Sequence, residues 1–201
     1  MGTVCNDNAI APITLNGSHV SLEPLTLDHL DGLCEVGLDP ELWRWAPNPI
    51  TSQEEMRSYV ETALRWQAKG TALPFATILN ETGRVVGSTR FANIDRDNRH
   101  MEIGWTWIGK PWQRTAVNTE AKYLMLRLAF EKLGSIRVEF KTDSLNQQSR
   151  NALLHLGAKE EGTFRNHMIT SDGRYRHSVY FSVDSEWPDV QKRLEEKLAR
   201  R

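Results

Sequence analysis

Lys110-Pro111-Trp112-Gln113-Arg114-Thr115-Ala116-Val117-Asn118-Thr119-Glu120-Ala121-Lys122 is a polar loop that turns an apolar strand into a long amphipathic helix. The strand before it, Met101 to Ile108, is rich in aromatic and β-branched residues. After it, Tyr123, Leu124, Leu126, Leu128, Ala129, Phe130 and Leu133 form an apolar face at helical spacing. The pattern predicts helix entry near Asn118, which leaves the first backbone N–H groups of the helix unpaired and directed at whatever precedes them. A phosphate suits that position.

Working outward, the flanking segments read as further strands and helices. Val20-Ser21-Leu22-Glu23-Pro24-Leu25 alternates like a half-buried strand that stops near its proline. Thr26 or Asp28 can cap a helix that carries Leu30, Leu33 and Val36 and stops at Gly37. Ser52 and Glu55 have capping-box spacing ahead of a helix reaching about Lys69. Pro74 to Leu79 and Val85 to Ala92, separated by Glu81-Thr82-Gly83, predict an antiparallel hairpin. Ile136 to Lys141 alternates strictly, and a short helix after it ends at Leu156-Gly157. A last strand pair turns at Ser171-Asp172-Gly173, and Val190, Leu194 and Leu198 place one stripe on a charged C-terminal helix. The expected order is βααβββαβαββ plus a terminal helix, a seven-stranded α+β domain. Residues 1–16 are polar and expected to be flexible, while 17–201 carry no linker or repeat and are expected to form a single domain.

Composition narrows the classes of function. A formal net charge of -1 gives no global drive toward nucleic acid or an anionic membrane. Only Cys5 and Cys34 occur, the first in the polar N-terminal stretch, so a disulfide framework or cysteine metal site is not expected. The histidines at 19, 29, 100, 155, 167 and 177 lack metal-ligand spacing, so no metal is expected. No apolar run approaches membrane-spanning length, and the first residues lack a basic and then hydrophobic signal pattern; the expected location is the cytoplasm, with no membrane partner.

This element order, with a phosphate-type loop between the fourth strand and the third helix, resembles the GNAT superfamily of acyl-CoA-dependent N-acetyltransferases. Within it the chain is most similar to the RimJ/RimL-type ribosomal-protein N-acetyltransferases. The similarity runs through Val20-Ser21-Leu22-Glu23-Pro24-Leu25, Met101-Glu102-Ile103-Gly104-Trp105, Asn146-Gln147-Gln148-Ser149 with Leu156-Gly157-Ala158, and Glu161-Gly162 followed by Arg165, to Glu186-Trp187-Pro188. It covers roughly residues 18 to 190. One departure stands out: the superfamily loop usually reads Q/R-x-x-G-x-G/A, whereas Gln113-Arg114-Thr115-Ala116-Val117-Asn118 has no glycine. It resembles a glycine-poor branch that continues Asn-x-Glu-Ala-Lys, as Asn118 to Lys122 do.

The resemblance implies a mixed, mostly antiparallel, V-shaped sheet flanked by helices, with acetyl-CoA as acyl donor and an amine as acceptor. By that resemblance, the main chain around Trp105, Thr106, Trp107 and Ile108 pairs with pantetheine, and Gln113 to Thr119 (Gln113, Arg114, Thr115, Ala116, Val117, Asn118 and Thr119) seats the pyrophosphate. Glu102 becomes the candidate base for the amine, in a setting that Met101 and Ile103 make partly apolar; the competing reading is an outward glutamate on a half-solvated strand. Ser149 becomes the candidate donor to the leaving thiolate and Asn146 a ligand of the cofactor amides, although a helix cap explains both as well. Arg150 can reach the adenosine-phosphate end or be a solvated helix arginine. Trp43, Trp45 and Trp66 line the acceptor groove or are core.

The expected activity is direct acetyl transfer to a primary amine, either a protein N-terminus or a small molecule, by a monomer or homodimer. The alternative is a non-catalytic acyl-CoA-binding regulatory protein on the same fold.

Overall fold

The hairpin expected around Glu81-Thr82-Gly83 lies in the middle of the sheet. In the computed structural model, which describes residues 10–200, it joins Leu73–Leu79 (β3) to Arg84–Asp95 (β4), with Gly83 in the left-handed region at φ 67°. Pairing outward from β3 are Val20–Pro24 (β2) and then Leu15–Asn16 (β1). Outward from β4 lies His100–Ile108 (β5), then Arg137–Asp143 (β6), Tyr175–Val183 (β8) and Lys159–Ile169 (β7). All neighbours are antiparallel except β5 and β6.

The sheet has eight strands where seven were expected. The addition is β1, inside the stretch expected to be flexible, and a single carboxylate on the other side of the loop explains it. Glu120, buried on the third helix, accepts the backbone N–H groups of Ser18 (2.8 Å), His19 (2.6 Å) and Val20 (2.8 Å). Three charge-assisted bonds fix the β1–β2 turn on that helix. Residues 1–9, including Cys5, lie outside the described residues.

Helices cover both faces. Leu30–Gly37 (α1) and Gln53–Ala68 (α2) pack on one, around Leu33, Met56, Val60 and Trp107. Ala116–Arg127 (α3), extended by a wider turn over Leu128–Lys132, packs on the other with Trp187–Ala199 (α5), around Phe91, Ile103, Met125 and Phe181. Ser52 and Glu55 close the expected capping box, and Gly157 ends Gln147–Leu156 (α4) at φ 108°. α3 begins at Ala116, two residues before the expected entry, because Thr115 Oγ1 accepts the N–H of Val117 and caps the helix there.

The feature that positions the site is the parallel pair. β5 and β6 are in register only from His100 to Glu102, against Arg137 to Glu139. Past Glu102 the two strands separate, β5 staying with β4 and β6 with β8. The sheet is therefore V-shaped, and the main chain of β5 beyond Glu102 has no strand on its β6 side.

Candidate active site

A bulge lies on that open stretch. Ser88 pairs with Trp107 and Arg90 with Gly104, so Thr89 alone faces both Trp105 and Thr106, and Trp105 takes φ 48°. Inserting one residue reverses which face the following side chains occupy. Trp107 is thereby core, 5.6 Å from Trp43 between ring centroids, and only its main chain remains for a ligand. Thr106 turns to the α3 side, where its hydroxyl lies 2.7 Å from that of Thr89 and accepts Lys122 Nζ at 2.8 Å. Trp105 stays partly exposed in the cleft, its carbonyl accepting the Tyr59 hydroxyl at 3.2 Å. The Ile108 carbonyl is taken by Gln113 Nε2 at 3.1 Å.

Gln113 fastens the loop at its other end as well, since its Oε1 accepts Gln148 Nε2 of α4 at 3.3 Å. The loop and the first turn of α4 thus meet across the open end of the V. Within the loop, Lys110–Trp112 forms a tight turn and exposed Arg114 takes the left-handed conformation at φ 62°. The absent glycines are accounted for by α3 itself: Ala116 and Asn118 are helical, so a left-handed backbone is not required at either position. Asn118 Oδ1 is buried with no hydrogen-bond partner, and Thr119 is half-buried in the same first turn.

On α4, Asn146 is the cap, its Oδ1 accepting the N–H of Ser149 at 3.0 Å. Ser149 is half-buried in the first turn. Arg150 is committed elsewhere: its guanidinium pairs with Glu160 at 3.2 Å and donates to the Ser144 carbonyl at 3.4 Å, fastening α4 to β7.

Glu102 stands at the apex of the V, 3 % exposed. The apolar setting expected from Met101 and Ile103 is not what surrounds it, because strand alternation sends those neighbours into the opposite core. Oε2 accepts Asn93 Nδ2 at 2.8 Å and Lys141 Nζ at 3.4 Å, while Oε1 lies beside Gly104, 2.9 Å from where a Cβ would stand. Further charges face it from β7 and β8. Burial first, then Lys141 and Arg176, holds His167 below the usual imidazole range. Burial, then Glu102 and Glu139, raises Tyr180. Trp43 is core, whereas Trp66 meets Trp105 edge-on at 5.2 Å and Trp45 lies 5.9 Å from the Arg174 guanidinium. The Pro47 carbonyl accepts the N–H of Ser171, so the connection after Trp43 closes one end of this cleft on the β7–β8 turn.

Lys122 went unassigned in the sequence. It is 7 % exposed, faces the Phe140 ring at 5.5 Å and donates to Thr106 beneath the bulge; burial lowers its ammonium from 10.5 to about 7, with Glu102 opposing. Its position at the end of Asn-x-Glu-Ala-Lys was visible, but a lysine six residues into a helix reads as solvated until the packing of the helix is known.

Residues 19–159 match the acetyltransferase (GNAT) domain family. The chain belongs to the GNAT acetyltransferases. Among relatives of this GNAT chain, an uncharacterized N-acetyltransferase, p20, of Bacillus licheniformis is 28 % identical over 155 residues, covering 77 % of this chain and 86 % of its own. A GCN5-related N-acetyltransferase from Brucella melitensis superposes with a TM-score of 0.86 at 31 % identity, over 94 % of this chain and 86 % of that one. Mycobacterium smegmatis RimJ, in complex with CoA-disulfide, shares the fold at a TM-score of 0.80 and 22 % identity, over 92 % and 95 % of the two chains. GNAT acetyltransferases use acetyl-CoA, and the residues here fit it: the N-terminal amides of α3, started by the Thr115 cap, suit an anion, and the unpartnered Asn118 oxygen can accept an amide N–H. Among the described residues there is no cluster of three metal-ligating side chains, and no helix is long and apolar enough to cross a membrane.

Proposed function

We propose that this GNAT chain transfers an acetyl group from acetyl-CoA directly to a primary amine held on the α1–α2 side of the sheet, the acceptor being a peptide N-terminus or a small amine. The observation that carries this reading is the separation of β5 from β6 immediately after Glu102. It leaves a main-chain edge that suits the donor, with a buried carboxylate beside it, and so supports this reading. Acetyl-CoA supplies the thioester. Glu102 takes the proton released as the amine nitrogen forms its bond to the carbonyl carbon and the carbon–sulfur bond breaks. Ser149 supplies a proton to the departing thiolate and regains one from solvent, to which Glu102 releases its own; Arg114 and the α3 N-terminal amides ordered by the Thr115 cap hold the pyrophosphate. Thiol release from acetyl-CoA, followed across a panel of small amines and N-terminal peptides, tests the activity. Tight acetyl-CoA binding without turnover on any acceptor would replace this reading by that of a binding protein.

A further inference from the structure

Arg90, in the middle of β4, is 1 % exposed and is among the largest fully buried side chains. Its guanidinium carbon lies 4.5 Å from the Tyr59 ring centroid, 5.3 Å from that of Trp105 and 5.6 Å from that of Trp66. Three rings hold the cation through their π faces. They cannot satisfy its hydrogen-bonding groups: Nε and Nη2 are buried with no partner. Other cations near this part of the sheet have polar partners. Lys141 faces Glu102, Arg176 lies 3.8 Å from Asp143, and Lys122 donates to Thr106. Among the described residues Arg90 has neither a carboxylate nor a hydrogen bond. Donors in a rigid planar fork match the paired oxygens of an oxyanion, and among small acceptor amines the common one is a carboxylate.

The place of Arg90 in the register says whose carboxylate. Arg90 pairs with Gly104 and Ala92 with Glu102, without a bulge between them, so Arg90 and Glu102 share the α1–α2 face one strand repeat apart, about 7 Å along the sheet. Between them lies the bare backbone of Gly104, where a Cβ would stand 2.9 Å from Glu102 Oε1. The three rings around the guanidinium reach the surface to different degrees: Trp105 is 36 % exposed, and Tyr59 and Trp66 are half-buried. We propose that the acceptor is a primary amine that itself carries a carboxylate, with the amine at Glu102, the chain across Gly104 and the carboxylate on Arg90. This rests on the acetyl-transfer reading and narrows its acceptor.

The test uses matched acceptors: 3-aminopropanoate and 4-aminobutanoate, their primary amides, butylamine, and two short peptides that begin with Glu or with Ser. The carboxylate-bearing small amines are expected to exceed their amides in kcat/KM by at least about ten-fold, because a buried donor pair left empty penalises the analogue. Arg90→Gln is expected to bring that ratio close to one, and Arg90→Lys, which keeps the charge without the fork, to keep only part of it. A Glu-led peptide outrunning the Ser-led one as strongly as the small acids outrun their amides assigns the same chemistry to a peptide source. Equal use of acids and amides by the wild type, or an unchanged ratio in Arg90→Gln, overturns the proposal while leaving acetyl transfer intact. Calorimetric titration of the CoA-loaded wild type with 4-aminobutanoate and with its amide decides the point without turnover or a folded variant. Heat of binding from the acid alone supports the carboxylate site, and indistinguishable titrations exclude it.

Discussion

Glu102 holds its position through two different bonds, and the proposed chemistry needs only one of its oxygens. Asn93 and Lys141 occupy Oε2, which leaves Oε1 beside Gly104 to receive a proton. Glu102→Gln keeps the shape and the Asn93 contact but removes the base. Turnover at neutral pH should fall by about 10²-fold or more with acetyl-CoA affinity little changed; an unaltered rate across the pH profile would remove Glu102 from the mechanism. Lys122 makes a prediction of opposite character. Its folded value near 7 lies below the ordinary 10.5, so the folded state binds fewer protons than the unfolded chain between those values. Stability therefore rises with pH from about 7 to about 10, and the full cost of burying the ammonium is felt below 7. Lys122→Met should stabilise the protein at pH 7 by a few kcal/mol and flatten that rise, as read by denaturant melts across pH. Glu102 was visible in the sequence because a motif surrounds it. Lys122 and Arg90 were not, since a cation's burial is decided by what packs on it.

At the scale of elements, α3 does more than present its N-terminus. Glu120 turns the first turns of α3 into an anchor for the β1–β2 edge through three backbone N–H groups. Glu120→Ala strands those donors in a buried or half-buried place and should destabilise the fold by about 3 kcal/mol, measured by thermal unfolding. A loss below about 1 kcal/mol would mean that water replaces the carboxylate. The local order strand, loop, helix was legible, down to the capping box at Ser52 and the stop at Gly157, because caps and turns are written in neighbouring residues. β1 was not, because the partner that orders its turn lies 100 to 102 residues away. The entry of α3 was placed two residues late for a related reason: the Thr115 cap starts the helix early and puts Ala116 and Asn118 in ordinary helical backbone.

Across the whole molecule, the two wings of the sheet meet through three parallel residue pairs and then diverge. The proposed acetyl-CoA seat would bridge β5, α3 and α4, so its occupation should stabilise the entire domain. At one hundred times its dissociation constant, CoA adds about 2.7 kcal/mol, a rise in Tm of roughly 5–10 °C for a chain of this size. Hydrogen exchange should slow at residues 104–108 and 115–119 on CoA addition. Protection confined to the outer surface of the sheet would place the ligand elsewhere. Sequence by itself determined the succession of elements, their caps and turns and the loop before α3, since periodicity and short-range hydrogen bonding act within a few residues; Glu102 was singled out by the resemblance alone. The tertiary structure decided the divergence at Glu102, the bulge that reverses the faces taken by Thr106 and Trp107, the anchoring of β1, and which cations became buried. Those outcomes depend on register and on contacts between residues far apart in the chain, where a shift of one residue moves every side chain to the other face.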